Sequence, residues 1–318
     1  MSQPVAVLIV SYNSAQLLKD TLGGLSRQTF RNFSTLVLDN GSHEEPVEEN
    51  FPGVEVVRLP KNIGFAGANN RGIELCARSR WIALLNPDAI PAVDWLERLV
   101  AAAEEKPAVA CFASRMIQAE RPDVLDGAGD AYHVSGRVWR RGYGVPTDGH
   151  YSNGEEVFSA CAAAALYRRS AIEAAGGFDE DFFCYLEDVD LGFRLRLAGY
   201  RCFYVPDAVV YHVGSATTGK DSDFAVYHGH RNLVWTYVKN MPGWLFWLYL
   251  PQHVAANLYI IARYALQGRW RVILKAKWDA IRGLPKMWNK RKAIQARRVV
   301  SAREIRKVME TGWPRRQR

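Results

Sequence analysis

The chain has 318 residues, 48% apolar and 12% aromatic, which is enough for a full core and more than one small domain needs. Its five scattered cysteines, without a CxxC pair, argue against a disulfide framework or a cysteine zinc site and fit a reducing cytosol. The net charge of +8 averages two unlike parts: residues 263–318 hold 18 Lys/Arg against 3 Asp/Glu, leaving 23 against 30 in residues 1–262, so the basic tail calls for an anionic partner, whether phospholipid, nucleic acid or a phosphate-bearing acceptor.

Met1-Ser2-Gln3-Pro4 leads directly into an apolar run over residues 5–10, with no basic region or cleavage site, so no signal peptide is expected. A short continuous apolar run suits a strand buried on both faces. A helix is expected from Ser14, with Leu17, Leu18, Leu22 and Leu25 on one face. Strands over 34–38 and 54–59, a helix over 68–78 and a strand over Trp81–Leu85 follow. This alternation predicts a parallel α/β sheet. Its strands end in four polar turns, Ser11-Tyr12-Asn13, Asp39-Asn40-Gly41-Ser42, Lys61-Asn62-Ile63-Gly64 and Asn86-Pro87-Asp88. A parallel sheet gathers such turns along one edge, where open sheets bind ligands. Read alone, Asn-Pro-Asp is equally an ordinary turn.

After a helix over 94–106, residues 120–155 are rich in Gly, Asp, Arg and aromatics without periodicity, and acceptor contacts are expected there. A strand is expected over 157–167, a turn at Gly176-Gly177-Phe178-Asp179 and a helix over 182–199. In that helix Asp190 faces Arg194 at i+4, an ordinary ion pair. Glu187 and Asp188 have no basic partner on their own helix. Such acids are either solvated or raise one another's pKa and serve as a general base. The run Val209-Val210-Tyr211-His212 reads as a strand end, and His212 gains interest only if it faces Asp88.

Six motifs in order carry a resemblance: Val10-Ser11-Tyr12-Asn13, Asp39-Asn40-Gly41-Ser42, the run from Asn62 through Gly64 to Asn69-Asn70, Leu85-Asn86-Pro87-Asp88, Glu187-Asp188-Val189-Asp190-Leu191, and His212-Val213-Gly214-Ser215. Together they resemble the inverting glycosyltransferases of family 2, which have the GT-A nucleotide-sugar fold, and within them the bacterial rhamnosyltransferase branch. The resemblance spans roughly residues 4–240. It implies a Rossmann-like, mostly parallel sheet with helices on both faces, in a catalytic domain over 1–240 with a nucleotide-sugar half (1–118) and an acceptor half (119–240). It implies donor contacts from Ser11, Tyr12, Asp39, Asn40, Asn62, Gly64, Asn69, Asn70 and Asn86. Asp88 and His212 would hold a divalent metal, Mg²⁺ or Mn²⁺, and Asp188 would be the general base, with Glu187 the runner-up. The implied reaction moves a sugar from a dTDP- or UDP-sugar, dTDP-rhamnose first, to a glycan or lipid-linked acceptor of cell-surface polysaccharide synthesis. Two departures matter. Asn86-Pro87-Asp88 leaves one carboxylate where Asp-x-Asp is usual. Asp39-Asn40 puts an amide where a second acid is usual, and it can still accept the N3 proton of a pyrimidine.

Residues 244–262 hold no formal charge but are interrupted by Pro251, Gln252, His253 and Asn257. Their length permits a span. Nucleotide sugars and the basic tail both belong on the cytosolic side, however, so a helix pair in the interface or a re-entrant hairpin is expected. Beyond it, Trp270, Val272, Ile273, Leu274, Trp278, Ile281, Leu284 and Trp288 are interleaved with Arg269, Arg271, Lys275, Lys277, Arg282 and Lys286. Residues 241–318 therefore read as a helical appendage on an anionic membrane surface, with the enzyme peripheral on the cytoplasmic face; the alternative is a helix packing its Trp stripe on the catalytic domain. With no zinc finger or RNA-binding motif, no nucleic-acid partner is expected. A nucleotidyltransferase is a remoter reading, since only Lys61 and Arg71 could meet its phosphates.

Overall fold

Every residue of β1 (Val5–Ser11) is buried, because the strand lies inside a sheet covered on both faces. The structure, a computed structural model, describes residues 4–43, 51, 53–214 and 222–312; Ser215 of the His-Val-Gly-Ser motif lies outside them. Alternate side chains of β1 enter different cores. Val5, Val7 and Ile9 pack with Leu18, Leu22 and Leu25 of α1 (Ala15–Ser26), whereas Ala6, Leu8 and Val10 face Ala66, Ala68 and Ile73 of α2 (Gly64–Leu75).

β1 pairs in parallel with β2 (Phe33–Asp39) and β4 (Trp81–Leu85), and β2 with β3 (Val54–Arg58). Beyond β4 the sheet is mixed. β11 (Ala164–Arg168) runs antiparallel between β4 and β6 (Val109–Gln118), and β12 (Arg201–His212) returns parallel to β6. β5 (Ala89–Pro91) and β10 (Glu155–Val157) add to β12, and β7 (Arg121–Gly127) to β6, all antiparallel. A separate hairpin of β8 (Asp130–Tyr132) and β9 (Val138–Arg140) occupies the stretch read from sequence as aperiodic. α3 (Trp95–Glu105) fills the second core with Trp95, Leu96 and Leu99. The expected α/β layers are present, parallel from β3 to β4 and mixed beyond.

Several boundaries differ from the sequence reading, each for a local reason. α2 begins at Gly64 rather than residue 68, because Gly64 takes φ +81° and its N–H is capped by Asn62 Oδ1 at 2.8 Å. The strand expected over 157–167 is two, β10 and β11. Between them the N–H of Ala162 turns to Asp188 Oδ2 at 3.0 Å instead of a neighbouring strand. The helix expected over 182–199 is α5 (Glu187–Leu197), preceded by α4 (Arg169–Ala174) and a 3₁₀ turn at Glu180–Phe182. It cannot start earlier, since Phe183, Tyr185 and Leu186 sit at φ +64°, +69° and +64°. The Asp190–Arg194 pair is not a surface pair. Asp190 is fully buried and also bonds Lys239 Nζ and Asn240 Nδ2, both at 2.7 Å, from α6 (Asp223–Asn240).

Residues 244–262 form no hairpin but part of one helix, α7 (Gly243–Leu266), which continues through Pro251. Among the described residues no helix is long and apolar enough to cross a membrane. α8 (Trp270–Arg282), α9 (Leu284–Ala296) and α10 (Ala302–Lys307) follow. A third core joins them to the body: Phe182, Phe193 and Leu197 meet Trp235, Tyr237, Phe246, Ala280, Met287 and Ile305.

Candidate active site

The ends of β1, β2 and β4 deliver Tyr12, Asn40 and Asn86 to one cleft of about 1020 Å³, as a shared parallel edge requires. The turn after β2 is built by its own amides. Asn40 Nδ2 donates to Asn62 Oδ1 (3.0 Å) and the Gly64 carbonyl (3.3 Å), while Asn40 Oδ1 accepts from the Ile63 N–H (3.0 Å). Gly64 is required there, because a Cβ would lie 2.6 Å from the Phe183 ring. Of the residues expected at the donor, Tyr12, Asn40, Asn62, Gly64 and Asn86 line the cleft, and Ser11, Asp39, Asn69 and Asn70 do not. The latter four brace the walls. Ser11 Oγ meets Ser14 Oγ at 2.9 Å and Asp39 Oδ1 caps the Ser42 N–H at 2.9 Å. Asn69 donates to the Phe65 carbonyl inside α2, and Asn70 exchanges hydrogen bonds with the Phe178 backbone.

Asp88 and His212, 124 positions apart in the chain, meet through the main chain. The β5–β12 ladder pairs Ala89 with His212, and the Val213 N–H donates to the Asp88 carbonyl at 3.0 Å. Thr21 of α1, fully buried, donates to the Pro87 carbonyl at 2.8 Å and fixes the turn from behind. His212 Nε2 lies 3.4 Å from Asp88 Oδ1, and its Nδ1 lies 2.8 Å from Asp126 Oδ2 at the end of β7. Burial opposes the imidazolium, but the bonds to Asp126 and Asp88 outweigh it and raise the His212 pKa. Burial likewise opposes the Asp88 carboxylate, and the His212 hydrogen bond and charge hold its pKa below the usual range. An imidazole oriented from behind by a carboxylate, with its other nitrogen beside a second carboxylate, fits a metal ligand pair. Among the described residues no three His, Cys, Asp or Glu are grouped to hold an ion alone. Two protein ligands suit Mg²⁺ or Mn²⁺ completed by phosphates and waters.

Glu187 and Asp188, which line the same cleft, open α5. Asp188 accepts the N–H groups of Val189 (Oδ1, 2.8 Å) and Ala162 (Oδ2, 3.0 Å). Burial raises its pKa, and these donors together with Arg140 restrain the rise. Glu187 is 4% exposed, its Oε2 has no hydrogen-bond partner among the described residues, and burial followed by Asp188 drives its pKa well up. Of the two, Asp188 is therefore the carboxyl equipped to carry charge. The segment leading to it is strained, since each non-glycine residue held at positive φ costs about 1–3 kcal/mol.

Three further cleft residues come from β7 to β9: Asp126, Asp130 and Arg140. Arg140 donates to Asp126 Oδ2. Burial opposes its charge, but Cys161 and the carboxylates of Asp126, Asp130 and Asp188 raise its pKa on balance. Asp130 is pushed up to about 8, by burial first and then by Asp188. The abundance of Asp, Arg and Gly in residues 120–155 was the available signal, but nothing local identifies which side chains turn inward. Trp139, Tyr143, Phe183, Tyr185 and Phe224 make the apolar wall.

The sequence profile described as "Glycosyl transferase family 2" matches residues 6–176. The chain is 30% identical over 257 residues to an N-acetylglucosaminyl-diphospho-decaprenol L-rhamnosyltransferase of Mycobacterium tuberculosis, covering 72% of this chain and 82% of the relative. GalNAc-T7, solved with UDP, GalNAc and Mn²⁺, superposes with a TM-score of 0.61 at 17% identity, over 74% of this chain and 47% of its own. A mannosyltransferase of Pyrobaculum calidifontis, solved with GDP-Man and Mn²⁺, gives 0.53 at 18% identity, over 92% and 84%. These two share the fold. With the profile covering more than half the chain, this protein is a glycosyltransferase and belongs to family 2.

Proposed function

We propose that the protein is an inverting, metal-assisted glycosyltransferase that moves L-rhamnose from dTDP-rhamnose to a hydroxyl of a lipid-linked or glycan acceptor in cell-surface polysaccharide synthesis. The observation that carries this reading is one cleft lined by both the Asp88–His212 pair and Asp188. Asp88, Asp126, Asp130, Glu187 and Asp188 face it against Arg140 and His212. Burial favours the protonated forms of Asp130 and Glu187, so Asp88, Asp126 and Asp188 carry the negative charge that a nucleoside diphosphate would meet. A divalent cation held by Asp88 and His212 would offset it and supply Lewis-acid stabilisation of the leaving diphosphate. Mn²⁺ in both fold neighbours agrees with this. The M. tuberculosis relative supports rhamnose as the sugar and a lipid diphosphate as the acceptor.

In the reaction, Asp188 accepts the proton of the acceptor hydroxyl as that oxygen bonds the anomeric carbon. The bond to the diphosphate breaks on the opposite face, which inverts the centre. Tyr12 offers a ring to the base, and Asn40 and Asn62 hold the turn that positions it. Residues 1–240 carry this chemistry in our reading, with donor contacts in 1–118 and acceptor contacts in 119–240. Residues 241–318 place the enzyme on the anionic cytoplasmic face of the membrane. There α7 and α8 turn outward Trp247, Leu248, Leu258, Trp270, Leu274 and Trp278, flanked by exposed Arg271, Lys275 and Arg282.

The test is nucleotide release from dTDP-rhamnose and UDP-hexoses, with and without Mn²⁺, by wild type and Asp188→Asn. General-base loss is worth about 10²–10⁴-fold. Asp188→Asn is expected to lose that much turnover while donor affinity stays within about threefold. Turnover near wild type would remove Asp188 from the mechanism.

A further inference from the structure

The route to the base helix runs through residues 183–186, where three non-glycine residues adopt left-handed φ. Leu186, the N-cap of α5, is one of them, at φ +64° and ψ 5°, and its side chain offers no cap. Ser, Thr, Asp or Asn would ordinarily fill that position. Since its carbonyl accepts the Asp190 N–H at 2.9 Å, the conformation of Leu186 sets where α5 starts and where Asp188 points.

What holds this segment comes from α6. Asn232, 0% exposed, directs its single amide nitrogen at three carbonyls: Phe182 (2.9 Å), Cys184 (2.9 Å) and Tyr185 (2.8 Å). Its Oδ1 accepts from Arg231 Nε at 2.9 Å, which orients the amide, and Arg231 Nη2 adds bonds to the carbonyls of Asp181 (3.0 Å) and Phe182 (2.9 Å). On the far side, the Phe183 carbonyl accepts the Ala66 N–H of α2 at 3.2 Å, and its ring sits against the space Gly64 leaves open. The segment thus bridges the donor-side helix and the base helix, with α6 clamping it in a conformation its own residues disfavour.

We infer that Asn232 is a positioning residue for catalysis: it holds the left-handed segment that aims Asp188 and does not line the cleft. This inference rests on Asp188 as the base. It differs from a role in folding alone, which would lower stability without separating turnover from donor binding.

The experiment compares Asn232→Leu, close in shape but without donors, with Asn232→Leu/Leu186→Gly, in which glycine takes left-handed φ freely. Arg231→Met, from a half-buried site, serves as a milder second variant. Turnover is read with whichever of dTDP-rhamnose or a UDP-hexose the wild type uses, donor Kd by titration and folding by near-UV circular dichroism. Folded Asn232→Leu is expected to lose about 30-fold or more in kcat with donor Kd within about threefold. The glycine double variant is expected to recover at least fivefold, and Arg231→Met to lose about three- to tenfold in kcat. Retention of kcat within threefold in folded Asn232→Leu, failure of glycine to recover it, or parallel loss of donor affinity would overturn the inference. Should Asn232→Leu not fold, a wild-type kcat in Arg231→Met overturns it equally. Asp188→Asn assayed alongside separates the two ideas, because full turnover there removes the base itself.

Discussion

Asp130 keeps its proton at a pH where an exposed aspartate has lost it, and this leaves a signature in stability. Its pKa is pushed up to about 8, by burial and then by Asp188, against about 3.9 in an unfolded chain. Between those values the native state binds a proton that the unfolded state has released, so stability falls as pH rises from about 4 to about 8 and then levels. Asp130→Asn preserves an acceptor for Ser159 Oγ, which lies at 3.3 Å, and removes the titration. Its gain in Tm over wild type, followed by calorimetry across pH, is expected to be near zero at about pH 4 and several degrees by about pH 8. A pH-independent difference would mean that another group titrates. At this scale the sequence was legible where a motif carried its own geometry, as with Asp88 beside Pro87. Asp126, Asp130 and Arg140 were not legible, since their direction depends on how β7 to β9 fold over the sheet edge. His212 was placed near Asp88 only by resemblance; the β5–β12 ladder that joins them has no local trace.

At the scale of elements, α2 lies on β1 through a glycine. A Cβ on Gly72 would stand 2.3 Å from Leu8 Cδ1 and 2.6 Å from Cδ2, and Leu8 is 1% exposed inside the core. Alanine would gain up to about 1 kcal/mol of helix propensity. Overpacking a closed core costs about 1–3 kcal/mol, so the clash wins. Gly72→Ala is expected to lower Tm by a few degrees, and Gly72→Val by more; a Tm at or above wild type would show that α2 can ride outward. The same core explains which elements could be read in advance. β1, β2 and β4 are apolar because both faces are covered, and their runs end where the cover ends. The run from Phe158 to Ala163 is as apolar but is not a strand. Its small side chains serve close approach: Gly192 of α5 has room for no Cβ beyond 2.4 Å of Ser159 Cβ. Composition cannot separate those two uses of small apolar residues. Nor can it foresee that Phe183, Tyr185 and Leu186 take left-handed φ in a segment held by hydrogen bonds from a helix nearly fifty residues on.

For the whole molecule, the basic tail divides into cations used inside and cations left outside. Lys286 and Lys290 pair with Asp179 and Asp181, Lys277 is buried against the His230 carbonyl, and Arg291 bonds the Val238 and Met241 carbonyls. Arg271, Lys275 and Arg282 remain exposed beside the Trp and Leu face of α7 and α8. Each cation near an anionic bilayer contributes about 1 kcal/mol. Arg271→Glu/Lys275→Glu is therefore expected to cut flotation with anionic liposomes about tenfold or more, and Trp247→Glu/Leu258→Glu to act similarly at any salt. Lys286→Gln/Lys290→Gln is expected to lower Tm while leaving flotation within about twofold. Unchanged flotation in the first two variants would end the membrane reading. The total charge raises the expectation of an anionic partner; which lysines are left free for one depends on tertiary pairing. That pairing also orders events during synthesis. α5 is made long before α9, yet Asp181 just upstream of it meets Lys286 and Lys290, and the core beside it gains Met287, Ala302 and Ile305, only with residues 284–305. The last described residue to line the cleft is Phe224, so a nascent chain that has not reached residue 284 already holds that lining without the contacts that brace it.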